Sequence, residues 1–183
     1  MVHSVEMVFD PDTEEAVRQI WDGLREAGIP SQAPASRPHA TLTVAERIDP
    51  EVDALLAPLA DRFPFPCRIG APLLFGRSQL ILTRLVVPTA ELLDVHTEPI
   101  HLGVHVEVYR LCVPHQEPGP MANSLPGQWT CHVTLARRLH GSQLGRALRI
   151  AGRPSEIPGQ VVGLRRWDGN AKRETAVTER NVK

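Results

Sequence analysis

His39-Ala40-Thr41-Leu42 recurs 93 residues further on as His132-Val133-Thr134-Leu135. Side chains alternate across a strand, so a histidine and a threonine two residues apart project from one face. Each copy therefore sets a titratable imidazole beside a hydroxyl. With 8 histidines, 10 threonines and 20 leucines in 183 residues, random placement would give roughly 0.05 such matches. Two strands of this kind facing one cleft would supply a base, an acid and two hydrogen bonds for a phosphate.

The chain around them reads as alternating strands and helices. Val2 to Phe9 reads as a strand, and Asp12 three residues before Glu15 reads as the start of a helix that places Val17, Ile20, Trp21 and Leu24 on one face. Gly28 and Pro30 end it. A polar segment, 31–37, leads into the first motif strand, 38–44, and Asp49-Pro50 opens a second helix. Residues 68–75 and 79–87 form a hairpin turned at Gly76-Arg77-Ser78. A helix from Pro88-Thr89 carries Leu92, Leu93 and Ile100. Residues 100–113 fit either a helix or a strand, with helix preferred. Residues 114–128 read as a Pro/Gly-rich loop before the second motif strand, 129–137. A helix capped by Ser142 and strands near 160–167 and 174–182 complete the chain. The pattern is α+β rather than a doubly wound parallel sheet.

Length argues for one domain over 1–183. The net charge of −1 conceals an uneven distribution, −7 over residues 1–66, −1 over 67–136 and +7 over 137–183. Arg137, Arg138, Arg146, Arg149, Arg153, Arg165 and Arg166 lie in the basic part. They suit either an anionic ligand or pairing with the acidic N-terminal part. Aromatic content of 4 % argues against an extended platform for stacking single-stranded bases. The three cysteines form no C-x-x-C pair, which fits neither a disulfide framework nor a zinc knuckle and suits a reducing compartment. No secretory signal and no membrane-spanning run is read in the sequence, so a cytoplasmic location is expected.

At the two H-x-T-L strands the chain resembles the 2H phosphoesterase superfamily, and within it the bacterial 2′-5′ RNA ligase and RNA 2′,3′-cyclic phosphodiesterase family. Pro38 directly before the first histidine and the setting Trp129 to Arg137 around the second add to the likeness. The resemblance implies two pseudo-symmetric lobes of antiparallel sheet with flanking helices around a central cleft, each contributing one H-x-T strand. It implies hydrolysis of 2′,3′-cyclic phosphates on RNA ends or nucleotides, without metal or other cofactor, together with reversible 2′-5′ joining of RNA ends. One departure is Cys131, where many members carry proline. It is expected to point into the core and to change packing rather than chemistry.

His39 and His132 are the expected acid and base, in an order the sequence does not assign. Thr41 and Thr134 are expected to donate to phosphate oxygens. Arg137 lies three residues beyond Thr134, on the opposite face of an ideal strand, and only a bulge or the strand's end would turn it to the phosphate. Trp129, three before His132, is read as a base-stacking or a core residue. Glu98, His101 and His105 have a spacing that suits a metal on a helix, although the expected site holds none. The expected partner is an RNA terminus or a cyclic nucleotide, with no membrane or protein partner and a monomeric state. The rival readings are a phosphodiesterase for a small cyclic-phosphate metabolite and a non-catalytic nucleotide- or RNA-binding module.

Overall fold

The computed structural model describes residues 2–93 and 103–178. Strand β1 (His3–Phe9) leads into helix α1 (Pro11–Glu26), then β2 (His39–Ala45), a short β3 (Arg47–Ile48) and helix α2 (Val52–Leu56). Strands β4 (Phe65–Phe75) and β5 (Leu80–Val86) come next, then helix α3 (Val104–Cys112) and a short β6 (Gln116–Glu117). Strand β7 (His132–Leu139), helix α4 (Leu144–Ala151) and strands β8 (Ile157–Asp168) and β9 (Arg173–Ala176) end the described chain. The protein is thus mixed α+β, a seven-stranded antiparallel sheet with four α-helices among the described residues. No described helix is long and apolar enough to cross a membrane.

The sheet runs β1-β2-β7-β5-β4-β8-β9. Strand β8 pairs with β4 over its first half, Ile157 to Val161, and with β1 over its second, Val161 to Asp168. The strand order therefore closes on itself. Its weakest seam lies between the two motif strands, where β2 and β7 share one registered pair, Ala40 with Val133.

Several boundaries differ from the sequence reading for local reasons. Helix α1 is capped by Asp10, not Asp12, because Asp10 accepts from the backbone and hydroxyl of Thr13 (3.0 and 2.6 Å), leaving Pro11 in the first turn. Its predicted inner face is buried at Val17, Ile20, Trp21 and Leu24. The ambiguous segment is helical over 104–112, with Val104, Val108 and Cys112 buried at four-residue intervals. Helix α4 begins at Leu144, after a 3₁₀ turn over Gly141–Gln143 preceded by His140, so Ser142 is not its cap. The hairpin between β4 and β5 turns at Gly76, whose φ of +90° suits a residue without a Cβ. Residues 88–93, expected to open a helix, form a turn in which Leu92 N and Leu93 N donate to Thr89 O, and β9 ends at Ala176 rather than continuing toward 182. The expected helix beyond Leu93, the metal spacing at Glu98 and His101, and residues 179–182 lie outside the described residues.

Candidate active site

The pairing of Ala40 with Val133 organises the site. Antiparallel register carried one step to each side sets His39 opposite Thr134 and Thr41 opposite His132. All four line one cleft of about 910 Å³, within the range of roughly 300–1,000 Å³ typical of small-molecule sites. The middle residues Ala40 and Val133 face the core instead, 0 % and 1 % exposed.

Both motif strands break their alternation at the same place. On β2, Val5 of β1 pairs with Thr43 and Glu6 with Thr41, so Leu42 is an extra residue. On β7, Thr83 of β5 pairs with Thr134 and Leu82 with Ala136, so Leu135 is extra. The fourth residue of each H-x-T-L is thus a β-bulge, which reverses the facing of the residues beyond it. Thr43 and Ala136 become buried, while Val44 and Arg137 turn into the cleft. This is how Arg137 reaches the cleft from a position that an ideal strand would aim away from it. The carbonyls at the bulges are capped from outside the sheet. Ser31 Oγ donates to the Leu135 carbonyl at 3.2 Å, and the His105 ring bonds that of Leu42.

The two histidines are oriented alike. A backbone carbonyl only accepts, so Nδ1 of each ring carries the hydrogen that bonds it. His132 Nδ1 donates to Thr130 O at 2.6 Å, and His39 Nδ1 donates to Arg37 O at 2.8 Å, the shorter of two contacts at that nitrogen, the other being the donor Arg165 NH2 at 3.1 Å. This leaves Nε2 as the reactive atom on both rings.

Their surroundings differ. His39 Nε2 lies 3.5 Å from Glu6 Oε1, and Glu6 is held by Ser4 Oγ at 2.6 Å and by Arg165 Nε at 2.8 Å. Burial alone would raise the Glu6 carboxyl, but the charges of His39 and Arg165 and these hydrogen bonds outweigh it and hold it below the usual range. His132 packs against the Phe75 ring at a centroid distance of 4.9 Å. Burial pushes its imidazole below the ordinary value. The Thr130 carbonyl acts the other way, and Arg137 and His39 add to the lowering.

Trp129 is not among the residues lining this cleft. Its ring stacks on His105, with centroids 3.9 Å apart and planes 10° from parallel, and its Nε1–H donates to the Thr41 carbonyl at 2.8 Å. The base-stacking reading is therefore corrected: the β7 strand begins only at His132, and the indole packs behind the first motif. The His105 ring is occupied by the same stack and by a hydrogen bond to Ser124 O, so it offers no metal-binding face. Among the described residues no group of three or more His, Cys, Asp or Glu is placed to hold a metal ion. Cys131 lies in the core, 3 % exposed, and burial beside Cys67 pushes its thiol well above the ordinary value.

Glu6, Glu174 and Phe75 line the cleft without having been singled out in the sequence, and Arg165, named there only among the basic-part arginines, lines it with them. Glu6 left a trace, a carboxylate in phase with Ser4 on a largely apolar strand. Arg165 could not be told from Arg166 beside it, which is equally basic. Strand alternation separates the two: Arg165 enters the cleft, and Arg166 turns away to pair with Asp53 at 2.7 and 2.8 Å. Both bond N-terminal carboxylates, so part of the charge asymmetry closes inside the fold. Of the nine arginines in residues 137–183, Arg137 and Arg165 are among those lining the cleft. No family model matches the chain, and no curated protein is significantly similar to it.

Proposed function

We propose that the protein is a metal-independent phosphoesterase of the 2H type that opens 2′,3′-cyclic phosphates of RNA ends or nucleotides to 2′-phosphomonoesters. The observation that carries this reading is the Ala40–Val133 pairing, which gathers two imidazoles, each bonded through Nδ1 to a backbone carbonyl, and two hydroxyls around one cleft. One imidazole takes a proton from water as its oxygen attacks phosphorus. The bond from phosphorus to the 3′ oxygen breaks, its electron pair stays on that oxygen, and the second imidazole protonates it. Thr41 and Thr134 donate to the non-bridging oxygens as charge grows there, and Arg137 supplies a cation at the same end. With the 5′-hydroxyl of another RNA end in place of water as the nucleophile, the same proton transfers and the same break of the phosphorus–3′ oxygen bond join RNA ends 2′-5′.

The two-lobed architecture is part of the same proposal. It is favoured by the single-pair seam between β2 and β7 and by the matching bulges on either side of it. The cleft volume favours a nucleotide or the last residues of an RNA over a long strand, since extended phosphate contact needs many cations. Three buried free thiols suit a reducing compartment and favour the cytoplasm.

The deciding experiment is a panel of nucleoside 2′,3′-cyclic phosphates and RNA 2′,3′-cyclic ends assayed in chelator. Turnover with a bell-shaped pH profile is expected, falling roughly 10²- to 10⁴-fold in His39→Ala and in His132→Ala. Turnover only of a small non-nucleotide cyclic phosphate would move the assignment to that substrate class. Ligand binding without turnover, surviving both substitutions, would make the protein a binding module. Activity abolished by chelator and restored by zinc or manganese would sink the mechanism.

A further inference from the structure

We propose that Trp167 and Lys172 form a second subsite of the cleft, which holds a nucleoside and the phosphate on its 5′ oxygen. Resting on the reading of the cleft as a phosphodiesterase site, this narrows the substrate to a cyclic-phosphate end that carries another phosphate one nucleoside away from the reacting one.

The register of the sheet lays the cleft out along its strands. Glu6 of β1 stands beside Thr41 of β2 and Arg165 of β8. One row further along, Ser4 stands beside Val44 and Trp167, and Trp167 beside Glu174 of β9. Ser4, Val44 and Trp167 all line the cleft. Two residues along a strand span about 7 Å, so this second row lies beside the motif row without overlapping it. Its surface suits a nucleoside. The half-buried indole offers a face on which any base can stack. Val44 and Met121 add apolar surface, tied together by a hydrogen bond from Met121 N to Val44 O at 2.8 Å, and the Asn123 amide lines the same cleft.

Lys172 stands at the far end of that row. Strand β8 pairs with β9 as far as Asp168 and Arg173, and residues 169–172 turn the chain between them. Asp168 Oδ1 accepts from the backbone N–H groups of Asn170 and Ala171, each at 2.9 Å, which fixes the turn. Lys172 adopts a φ of +52°, a left-handed conformation uncommon for a residue with a Cβ. It lines the cleft, and Arg173 beside it does not.

The other cations show why this lysine matters. Arg165 is committed to Glu6 and Glu174, and Arg37 to Glu14. Arg137 and Lys172 line the cleft without a carboxylate partner among the described residues. Strand β7 runs antiparallel to β2, so Arg137, beyond Thr134, lies toward the His39 end of the cleft. Lys172 lies beyond the Val44 end, with the four motif side chains between the two cations. Arg137 serves the reacting phosphate. A second unpaired cation, set beyond a surface suited to a nucleoside, matches a second phosphate.

The test compares kcat/KM for three compounds: adenosine 2′,3′-cyclic phosphate, the same compound phosphorylated on its 5′ oxygen, and the adenylyl dinucleotide with a 2′,3′-cyclic end. The proteins are the wild type, Lys172→Asn, Lys172→Arg and Arg173→Ala, asparagine being a residue that tolerates the left-handed backbone. The wild type is expected to prefer a compound with the second phosphate on the order of tenfold. That preference should collapse in Lys172→Asn and persist in Lys172→Arg and in Arg173→Ala, which removes a neighbouring charge outside the cleft. Preference for the 5′-monoester alone assigns a free nucleotide, and preference extending to the dinucleotide assigns an RNA end; either supports the subsite. No preference in the wild type overturns it, as does one that survives Lys172→Asn or falls equally in Arg173→Ala.

Titration calorimetry with adenosine 2′-phosphate and adenosine 2′,5′-bisphosphate reads the same increment without turnover. Trp167→Leu should weaken both ligands roughly fivefold or more, and unchanged affinity overturns the nucleoside contact. A wild type that turns over none of the three compounds, yet binds the bisphosphate more tightly through Lys172, defeats the functional reading and supports the subsite. Turnover without any preference for the second phosphate does the reverse.

Discussion

The indole of Trp129 donates a hydrogen bond to the backbone carbonyl of Thr41 at 2.8 Å, so a residue beside the second motif braces the strand of the first. The relation has a counterpart. Trp21, on α1, donates from its Nε1 to the carbonyl of Thr134 at 3.1 Å. Each cleft-facing threonine is thus held from behind by a tryptophan from another part of the chain. The substitutions Trp129→Phe and Trp21→Phe keep most of the ring and remove the donor. Each should cost about 1 kcal/mol of stability, the usual net worth of one such bond, measured by denaturant unfolding. For Trp129→Phe the rise in KM should be the same across nucleobases. A selective loss for purines would restore a stacking role.

The threonine hydroxyls differ from the strand they sit on in one respect, which is that they face ligand rather than core. Thr41→Val and Thr134→Val keep the β-branched shape and should leave stability within about 0.5 kcal/mol of the wild type. Loss of a hydrogen bond to a charged group, about 1.5–3 kcal/mol, should lower kcat/KM by roughly 10- to 150-fold. Steady-state kinetics beside a melting curve separates the two effects.

Arg137 bears on His132 by charge as well as by reach. Burial is the main cause of the lowered imidazole value, and Arg137 adds to it. With His132 as the base, which must be neutral to work, the acid limb of the pH–rate profile should fall below the ordinary histidine value of about 6.5. Arg137→Gln removes one lowering influence, and the limb should move upward toward that value. KM should rise at the same time. A limb that stays in place in Arg137→Gln would separate the arginine from the base.

Arg84 tests the scaffold alone. It is 0 % exposed, and its guanidinium donates to the carbonyls of Gly70 (2.6 Å), Pro154 (2.8 Å), Ser155 (2.5 Å), Ile69 (3.2 Å) and Ala151 (3.3 Å). It therefore ties the link between α4 and β8 to strand β4. Arg84→Met fills similar space and leaves those carbonyls unpaired. A cost of about 3 kcal/mol or more is expected, seen as a fall in Tm of roughly 6–12 °C. The kinetics of the protein still folded should be unaltered.

Local periodicity made much of this molecule readable. The apolar stripe of α1, the β4–β5 hairpin and the placement of both H-x-T pairs on strands come from spacings of 3.6 and 2 residues, which neighbours in sequence set among themselves. The H-x-T alternation also identified His39, Thr41, His132 and Thr134 as groups sharing a face. It failed one residue later, because a bulge is decided by what the strand pairs with. Leu42 is extra only against β1, and Leu135 only against β5. The placement of Arg137 in the cleft and of Trp129 behind it depends on those pairings and on where β7 begins.

The repeated motif, the amphipathic helices and the chemical kind of the four cleft side chains were written in the sequence, since each depends on residues a few positions apart. The union of the two motifs at Ala40 and Val133, the matching bulges, and the pairing of Glu6 with Arg165 across 159 positions were decided only by the tertiary structure. Strand register and buried charge pairing are set by distant partners, and no local spacing encodes which partners those are.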